Sequence, residues 1–378
     1  MTLEIQHLRL EPLRIPFKVA FRHASAERAE TSSLWVEAVS RRGVTGYGES
    51  CPRPYVTGET LDTAQAFFAR HETGLGETIV DLDSLRAWIA AHGADVDANP
   101  AAWCAIELAV LDLLAKENNQ TIEALLSLPP LQGHFQYSAV LGDADTRTFQ
   151  GLVERYRGHG FSDFKFKLSG DLERDLGKMA ALGSLARQDL PTAPRIRADA
   201  NNLWDTADEA IDFLRALGGT FFAVEEPIRP NQYQELARIG DALGCRLVLD
   251  ESFLRVDQLD GLRAAPGRWL INVRVSKMGG LLRSLAVVDA ARAAGIGVIV
   301  GAQVGETSLL TRAALTVAHA ARGALVAQEG AFGTLLLERD VCDPPLMFGR
   351  AGVLDVSTYP WLQSAPGFGL AGLSPHDF

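Results

Sequence analysis

The sequence predicts a parallel α/β barrel that follows a smaller α+β unit. With 378 residues, the chain is longer than a typical single domain. From about residue 135, short apolar runs alternate with amphipathic segments, which is typical of parallel βα units. Three of these runs end in an acidic residue at nearly constant spacing. The first 60 or so residues show the period-two alternation of antiparallel strands, and helical patterns follow them.

Composition excludes several classes of protein. Hydrophobic residues make up 47% of the chain and charged residues 22%, an ordinary soluble mixture. A net charge of −11 argues against nucleic acid as the main partner. No run of eighteen apolar residues predicts a membrane span, and the N-terminus lacks a signal pattern. The four cysteines are scattered without metal-binding spacing, which favours buried thiols in a reducing compartment, so we expect a cytoplasmic protein.

The N-terminal unit is predicted as a small antiparallel sheet followed by helices. The alternating segments are 3–13, 32–40 and 44–50. The segments with helical spacing are 61–71, 83–93 and 100–119. Asp83 and Pro100 mark starts for the second and third helices, and Asn118 with Asn119 marks a stop.

Eight apolar runs are candidates for the barrel strands. They are QYSAVL, DFKFKL, RIRAD, FAVEE, LVLDE, INVRV, GVIVG and ALVAQ, in chain order from residue 136. Eight strands with intervening helices in roughly 200 residues are enough for a compact βα barrel. The alternation of strand and helix patterns ends near Phe348, after which Gly, Pro and Trp361 suggest a tail that packs elsewhere.

Three carboxylates follow consecutive candidate strands. Asp199, Glu225 and Asp250 are separated by 26 and 25 residues, about the length of one βα unit. The carboxyl ends of parallel barrel strands meet at one face, where such barrels carry their chemistry. Three converging acids repel one another unless a cation binds between them, and oxygen ligands suit Mg²⁺, with Mn²⁺ as the alternative. For any one acid alone, a helix cap or a surface ion pair explains it equally well.

A candidate base lies on an earlier strand. Lys165 and Lys167 are two residues apart and therefore share one face of that strand, while Phe164, Phe166 and Leu168 form the other. Two ammonium groups beside a cation disfavour each other's charge, so we expect one lysine to accept a proton near neutral pH. The alternative is a solvated lysine pair on an edge strand.

These motifs in this order resemble the enolase superfamily, and within it the muconate lactonizing enzyme subgroup. They are Lys165-Phe166-Lys167, Asp199-Ala200-Asn201, Glu225-Glu226-Pro227, Asp250-Glu251-Ser252 and Lys277-Met278-Gly279-Gly280. The resemblance covers nearly the whole chain. It implies a modified TIM barrel, (β/α)7β, with an N-terminal α+β capping domain. The implied division is 1–130 for the capping domain with its substrate lid loops, 131–345 for the barrel, and 346–378 for a tail that packs back on the capping domain.

The resemblance also implies a mechanism. A metal-bound substrate carboxylate, a small organic acid, loses the proton on the adjacent carbon and forms a metal-stabilised enediolate. Lys167 is the expected base and Lys165 its electrostatic partner. Asn201, Glu226 and Glu251 adjoin the metal ligands and are expected to orient lysines and carboxylates. Members of the family often assemble, so a homo-oligomer is conceivable, although no residue of this chain indicates one.

Several residues are candidates for substrate contacts. By resemblance, the loops Phe21–His23 and Tyr55–Glu59 are a lid over the barrel, which would bring Arg22, His23 and Tyr55 to the substrate; a solvated loop is the alternative. Glu306 follows the seventh strand, where a helix N-terminal acid is an equal alternative. Gln328 and Glu329 stand after the eighth strand, where dipeptide epimerases of this family carry an Asp-x-Asp pair. Its absence counts against a dipeptide substrate, although Glu329 could still hold a cation. His319 is expected to be a packing residue.

The sixth strand departs from the subgroup. Its second catalytic lysine stands five residues before the first glycine of the GG turn, and here that position is Arg274. Arginine cannot be deprotonated and so cannot be a base, although it can pair with carboxylate or enediolate oxygens. Lys277 is at an odd offset from Arg274, which predicts the opposite strand face. A one-base lyase, such as a dehydratase, or a cycloisomerase is therefore favoured. A racemase or epimerase with another second base and a non-catalytic metal–carboxylate barrel are the alternatives.

Overall fold

The computed structural model describes residues 2–23, 26–186 and 194–370. Its N-terminal part forms two small antiparallel sheets. Their strands are β1 (Ile5–Leu13), β2 (Pro16–His23), β3 (Ala26–Glu30), β4 (Ser33–Ser40) and β5 (Thr45–Ser50). β4 lies between β1 and β5, and β2 pairs with β3 in a hairpin. The alternation predicted β1, β4 and β5 correctly. The prediction of a loop at 21–23 was wrong, because backbone pairing with β3 makes these residues the end of β2.

Helices follow this sheet and pack against it. They are α1 (Leu61–Thr78), α2 (Leu82–Ala91), α3 (Gly93–Ala98), α4 (Pro100–Glu117) and α5 (Ile122–Leu125). α4 begins at Pro100 and is capped at its C-terminus by Asn118, as predicted. α2 is capped by Asp81 rather than Asp83, because Asp81 accepts a hydrogen bond from Ser84 N at 2.8 Å. A Cβ at Gly48 would lie 1.9 Å from the Ala105 carbonyl oxygen, so only glycine lets β5 approach α4 this closely.

After β6 (His134–Gln136), eight parallel strands form one sheet in sequential order. They are β7 (Ala139–Leu141), β8 (Asp163–Lys167), β9 (Arg195–Asp199), β10 (Ala223–Glu225), β11 (Arg246–Leu249), β12 (Trp269–Val273), β13 (Gly297–Val300) and β14 (Leu325–Gln328). The sheet curls, and Ser138 N, just before β7, donates a 2.8 Å hydrogen bond to the carbonyl of Gln328 at the end of β14. The eight strands predicted from the apolar runs are therefore confirmed as one barrel sheet.

Helices connect most of these strands. They are α6 (Thr146–Gly158), α7 (Leu172–Ala186), α8 (Ala207–Leu217), α9 (Tyr233–Leu243), α10 (Val275–Met278), α11 (Leu281–Ala294) and α12 (Ser308–Ala320). Two 3₁₀ segments, Val256–Leu262 and Pro266–Arg268, connect β11 to β12. β12 ends at Val273, two residues before the predicted boundary, because Arg274 is already the N-cap of α10.

The barrel interior changes from apolar to charged along the strands. A separate buried cluster of apolar residues fills its lower part: Ala223, Val248, Leu270, Ile299 and Ala327. On three of these strands, the residue two positions further on is acidic: Glu225, Asp250 and Glu329. Because residues two apart share a face, these acids point into the same interior, one step closer to the carboxyl ends of the strands.

The C-terminal segment packs back against α4, α5 and β6. β15 (Val353–Asp355) pairs with β6, and α13 (Trp361–Ser364) follows. Phe368 N donates a 2.8 Å hydrogen bond to Asp112 Oδ1 of α4, and Ile122 N donates to the Gly367 carbonyl at 3.0 Å. Among the helices of the described ranges, none combines the length and apolar character needed to cross a membrane.

Candidate active site

Lys165 is at the centre of the charged interior. Its Nζ lies 2.9 Å from Glu225 Oε1, 3.0 Å from Asp199 Oδ2 and 3.1 Å from Glu329 Oε2. These three carboxylates outweigh the desolvation of the buried ammonium group and raise the pKa of Lys165 above its usual value. Lys165 is therefore a fixed positive charge in this arrangement.

Lys167 lies nearer to the carboxyl ends of the strands. Its Nζ donates to Asp199 Oδ2 at 2.6 Å and to Asn201 Oδ1 at 2.7 Å. Its side chain is 10% exposed, compared with 3% for Lys165. Lys167 thus contacts one carboxylate where Lys165 contacts three, and it is the lysine that faces the barrel mouth.

Asp250 is held by two cations. Arg274 Nη2 donates to Asp250 Oδ2, and Lys277 Nζ donates to Oδ1 at 2.8 Å. Arg274 Nη1 also donates to Gln303 Oε1 at 3.0 Å, and acids on several strands keep the pKa of Arg274 above its usual value. The prediction that Lys277 points away from the site was wrong, because α10 begins after Arg274 and the alternation of a strand no longer applies.

Glu225 is the least compensated of the three predicted metal ligands. Burial, together with the charge of Asp199, raises the pKa of Glu225 to about 7, although Lys165 opposes this. Its Oε1 accepts from Asn272 Nδ2 at 3.3 Å and from Lys165, and its buried Oε2 also lies 2.9 Å from Lys165 Nζ. By contrast, Lys165 and Lys167 hold the pKa of Asp199 well below its usual range.

Arg197 and Glu329 form a second buried pair beside Lys165. Arg197 Nη1 lies 2.9 Å from Glu329 Oε1, and Arg197 Nη2 donates to Ser138 Oγ at 2.9 Å. Lys165 and Arg197 are register partners on β8 and β9, so Glu329 meets both. Glu329 therefore joins the network that the sequence analysis predicted, but with an arginine partner that it did not identify.

The residues that adjoin the predicted ligands have different roles. Asn201 accepts from Lys167, and its own N donates to Asp199 Oδ1 at 3.1 Å. Glu226 turns away from the lysines and accepts from Asp250 N at 2.6 Å and from Ser252 N at 2.7 Å, so it fixes the turn that carries Asp250. Glu251 Oε2 is buried without a hydrogen-bond partner, and burial beside Asp250 raises the pKa of Glu251 to about 7.

The other predicted substrate residues are further from this network. Gln328 Nε2 donates to Tyr137 Oη at 2.9 Å, so its amide points away from the lysines. Glu306 Oε1 accepts from Gln303 N at 2.6 Å, and Gln303 Oε1 accepts from Arg274. Glu306 is therefore connected to Arg274 through Gln303. The Tyr55 ring centroid lies 6.0 Å from Arg28 Cζ.

The remaining residues of the predicted lid are Glu59, Arg22 and His23. Glu59, at the end of the second predicted loop, does not face a substrate, because it accepts hydrogen bonds from Ala101 N and Ala102 N at 2.9 Å at the start of α4. The side chains of Arg22 and His23 lie outside the described part of the structure. Their contact with a substrate stays a prediction. His319 is buried near Phe135, as expected of a packing residue.

The donor atoms suit a hard divalent cation, although they are not drawn together around one point. Within the described ranges, no group of three or more His, Cys, Asp or Glu side chains converges closely enough to hold a metal ion. Lysine and arginine nitrogens lie between the three carboxylates instead. The donor set, three buried carboxylates that offer only oxygen atoms, nevertheless fits Mg²⁺.

Sequence reasoning missed several contributors to the site. Arg197 stands two residues before Asp199, so strand alternation could have placed it on the interior face. Lys277 could not have been found this way, because the chain leaves the strand before it. Gln303 comes from the segment after β13, whose path no local pattern predicts.

Comparisons with known proteins agree with this fold. The chain is 27% identical over 352 residues to chloromuconate cycloisomerase of Cupriavidus pinatubonensis, covering 90% of this chain and 88% of that protein. It is 24% identical to N-succinyl-L-Arg/Lys racemase of Bacillus cereus, with 84% of each covered. The structure of muconate lactonizing enzyme from Pseudomonas fluorescens complexed with muconolactone superposes with a TM-score of 0.84 at 23% identity, covering 99% and 98% of the two chains.

A further solved structure carries a metal ion. The dipeptide epimerase from Methylococcus capsulatus, complexed with Mg and the dipeptide L-Arg-D-Lys, has a TM-score of 0.79 at 25% identity, covering 98% of this chain and 99% of that one. The family described as Enolase C-terminal domain-like matches residues 149–371, more than half of the chain. The curled parallel sheet, the acids at its strand ends and this match together identify the chain as an enzyme of the enolase superfamily that belongs to the Enolase C-terminal domain-like family.

Proposed function

We propose that this enzyme removes the proton next to the carboxylate of a small organic acid, using one base, and then completes an elimination or a cycloisomerisation. The observation that carries the proposal is Arg274. Its guanidinium lies beside Asp250 and within 3.9 Å of Glu225, on the strand where a second base would be required. Because a guanidinium stays protonated, it supplies a positive charge there and cannot accept a proton.

Lys167 is the proposed base. Its Nζ faces the barrel mouth and is anchored by Asp199 and Asn201, which fixes its direction. Lys167 acts as a base in its uncharged amine form, so it releases a proton to solvent before it takes the one from the substrate. Lys165 and Arg274 are fixed cations on either side, so they stabilise the negative charge that develops on the substrate carboxylate when its α-proton leaves. The proton taken by Lys167 can then return to a leaving hydroxyl group, or to a ring carbon, on the same face.

Mg²⁺ is the proposed cofactor, with Mn²⁺ as the alternative, and Asp199, Glu225 and Asp250 are the residues that would hold it. When bound, the ion polarises the substrate carboxylate and makes the adjacent proton more acidic. Arg274 Nη2 donates to Asp250 Oδ2, so the ion would compete with this guanidinium for that oxygen. Lys277 can keep Asp250 Oδ1, since one oxygen of the carboxylate is enough for a ligand.

A racemase or epimerase is the second candidate, and Glu251 is the observation that favours it. Glu251 Oε2 is buried close to Asp250 and lacks a hydrogen-bond partner, so this carboxylate could serve as a base on another face. Lys277 is a poorer candidate for that role. Its Nζ donates to Asp250 Oδ1, the Asp250 carbonyl and the Asn272 carbonyl at 2.7–2.8 Å, so its three protons are all engaged away from a substrate.

Exchange in D₂O distinguishes the two candidates. The enzyme with Mg²⁺ is incubated with a library of small carboxylic acids, and deuterium incorporation, product formation and configuration are followed together. The one-base proposal predicts product without inversion at the α-carbon. Lys167→Ala should lower α-proton exchange by about 10²- to 10⁴-fold, the usual contribution of a general base. If the wild-type enzyme inverts the α-carbon and Glu251→Gln abolishes this inversion, the racemase replaces the one-base proposal.

A further inference from the structure

The acid at the end of β14 is already neutralised by the protein. Glu329 is 6% exposed, and each of its oxygens meets a different cation. Oε2 accepts from Lys165 Nζ at 3.1 Å, and Oε1 lies 2.9 Å from Arg197 Nη1. A carboxylate that faces two buried cations has little remaining attraction for a third positive charge.

Arg197 is held so that it cannot leave Glu329. Its side chain is completely buried, and its Nη2 donates to Ser138 Oγ at 2.9 Å and lies 3.7 Å from Asp163 Oδ1. Its Cζ lies 5.8 Å from the centre of the Phe222 ring. Because the buried guanidinium is held by Ser138 and Asp163 as well as by Glu329, a ligand entering the barrel mouth meets Glu329 with its charge already compensated.

Resting on the proposed function, we propose that Arg197 is a specificity-determining residue that restricts the substrate to carboxylic acids without an ammonium group. An ammonium group brought to Glu329 would meet a carboxylate whose two oxygens are already paired, and it would approach two fixed cations, Lys165 and Arg197. An uncharged or anionic substituent meets no such repulsion. The reaction class is unaffected, because Arg197 contacts neither Lys167 nor Asp250 among the ion pairs of the site.

The test uses a simple cation as its probe. Thermal unfolding is measured with Mg²⁺ present, in butylammonium chloride and in sodium chloride of equal ionic strength. Arg197→Met removes the guanidinium and keeps an apolar side chain of similar length, so Glu329 should become able to bind the ammonium group. We expect butylammonium to raise the unfolding midpoint of this variant by at least about 1 °C through mass action, and not that of the wild type.

Two controls assign the effect. Arg195→Met removes an arginine from the same strand, one that is 47% exposed on its side chain and paired with Asp163 rather than Glu329, and it should behave as the wild type. Arg197→Met combined with Glu329→Gln should lose the gain. A gain that survives Glu329→Gln would assign the ammonium site to another acid, such as Glu251, and would overturn the inference.

A reciprocal variant covers the case in which Arg197→Met does not fold. Glu329→Gln leaves Arg197 without its acid, so butanoate should raise the midpoint of this variant more than that of the wild type. The inference is overturned if butylammonium does not stabilise Arg197→Met and butanoate does not stabilise Glu329→Gln beyond the wild type. Failure of the proposed function has a different signature, namely no α-proton exchange with any carboxylic acid by the wild type, whatever butylammonium does.

Discussion

Arg274 and Asp250, each the first residue after one of two neighbouring barrel strands, are joined by a direct hydrogen bond from guanidinium to carboxylate. The same guanidinium reaches Gln303 with its other nitrogen, so it uses the two arms of its fork on two partners. A lysine has one nitrogen and cannot reproduce this geometry. The contact therefore ties the candidate third metal ligand to the residue that distinguishes this chain from the subgroup it resembles.

Arg274→Lys should weaken the native reaction and open a new one. Loss of one charge-assisted hydrogen bond, about 1.5–3 kcal/mol, lowers kcat/KM by roughly 10- to 100-fold. A lysine can also lose its proton, so slow deuterium exchange on the second face of the α-carbon should appear. Stereochemical analysis of substrate recovered from D₂O measures it. Arg268→Lys, outside the site and paired with Asp241, is the control. If the wild-type enzyme racemises a substrate and Arg274→Ala racemises it at the same rate, the one-base assignment is wrong.

Removing charge from a candidate metal ligand should remove the metal. Asp199→Asn, Glu225→Gln and Asp250→Asn each keep the shape of the side chain, and we expect each to weaken Mg²⁺ binding by at least about tenfold. Titration calorimetry of the purified variants measures the affinity directly. Asp163→Asn is the matched control, because Asp163 is a buried acid of β8 that lies next to Arg197 and outside the ligand set. Equal loss in the control would show a general effect of charge in the barrel.

Gly280→Ala should destabilise the enzyme more than an equivalent change elsewhere. Gly280 has φ 104° and ψ −176°, and a Cβ there would lie 2.4 Å from Glu107 Oε1. Gly218 has a similar backbone conformation, with φ 67° and ψ −174°, but no atom lies within 4 Å of its Cβ position. Gly218→Ala therefore measures backbone strain alone, about 1–3 kcal/mol. Overpacking should add roughly 1–3 kcal/mol at Gly280. Equal losses in chemical denaturation would show that Glu107 moves aside freely.

Glu49 should make stability depend on pH. It accepts from Thr307 N at 3.0 Å, yet burial raises its pKa from the ordinary 4.5 to about 8. Between these values the folded state holds a proton that the unfolded state has released. The free energy of unfolding therefore falls as pH rises through this window, by about 1.4 kcal/mol per pH unit for one proton.

Denaturation of Glu49→Gln between pH 5 and 8 checks this expectation. A glutamine keeps an acceptor for Thr307 N and does not titrate, so the slope against pH should become shallower by one proton. Glu235→Gln, an exposed change on α9, should keep the wild-type slope. A Glu49→Gln profile parallel to the wild type would mean that Glu49 is charged in the folded enzyme.

Local sequence patterns predicted the barrel well, because each buried strand is a short apolar run and each inward acid ends one. Asp199, Glu225, Asp250, Lys165 and Lys167 were all found by alternation and spacing, and all five lie in one ion-pair network. Alternation failed at Lys277 because it holds only while the chain is extended, and the chain turns into α10 after Arg274. The Arg197–Glu329 pair joins the third strand of the barrel to the residue that follows the last strand. It depends on how the sheet closes, which no local window of sequence contains.

The contacts of Glu49 and Glu107 bear on how such a chain can be rearranged. Glu49 lies on β5 and meets Thr307 N at the start of α12, while Glu107 lies on α4 and accepts from Leu282 N at 3.0 Å in the first turn of α11. Each acid thus completes the N-terminus of a barrel helix whose amides would otherwise lack a partner. A barrel joined to a different N-terminal unit would lose both carboxylates that accept from these helix amides. Such a chimera should therefore require acids at the positions of the new strand and helix that correspond to Glu49 and Glu107.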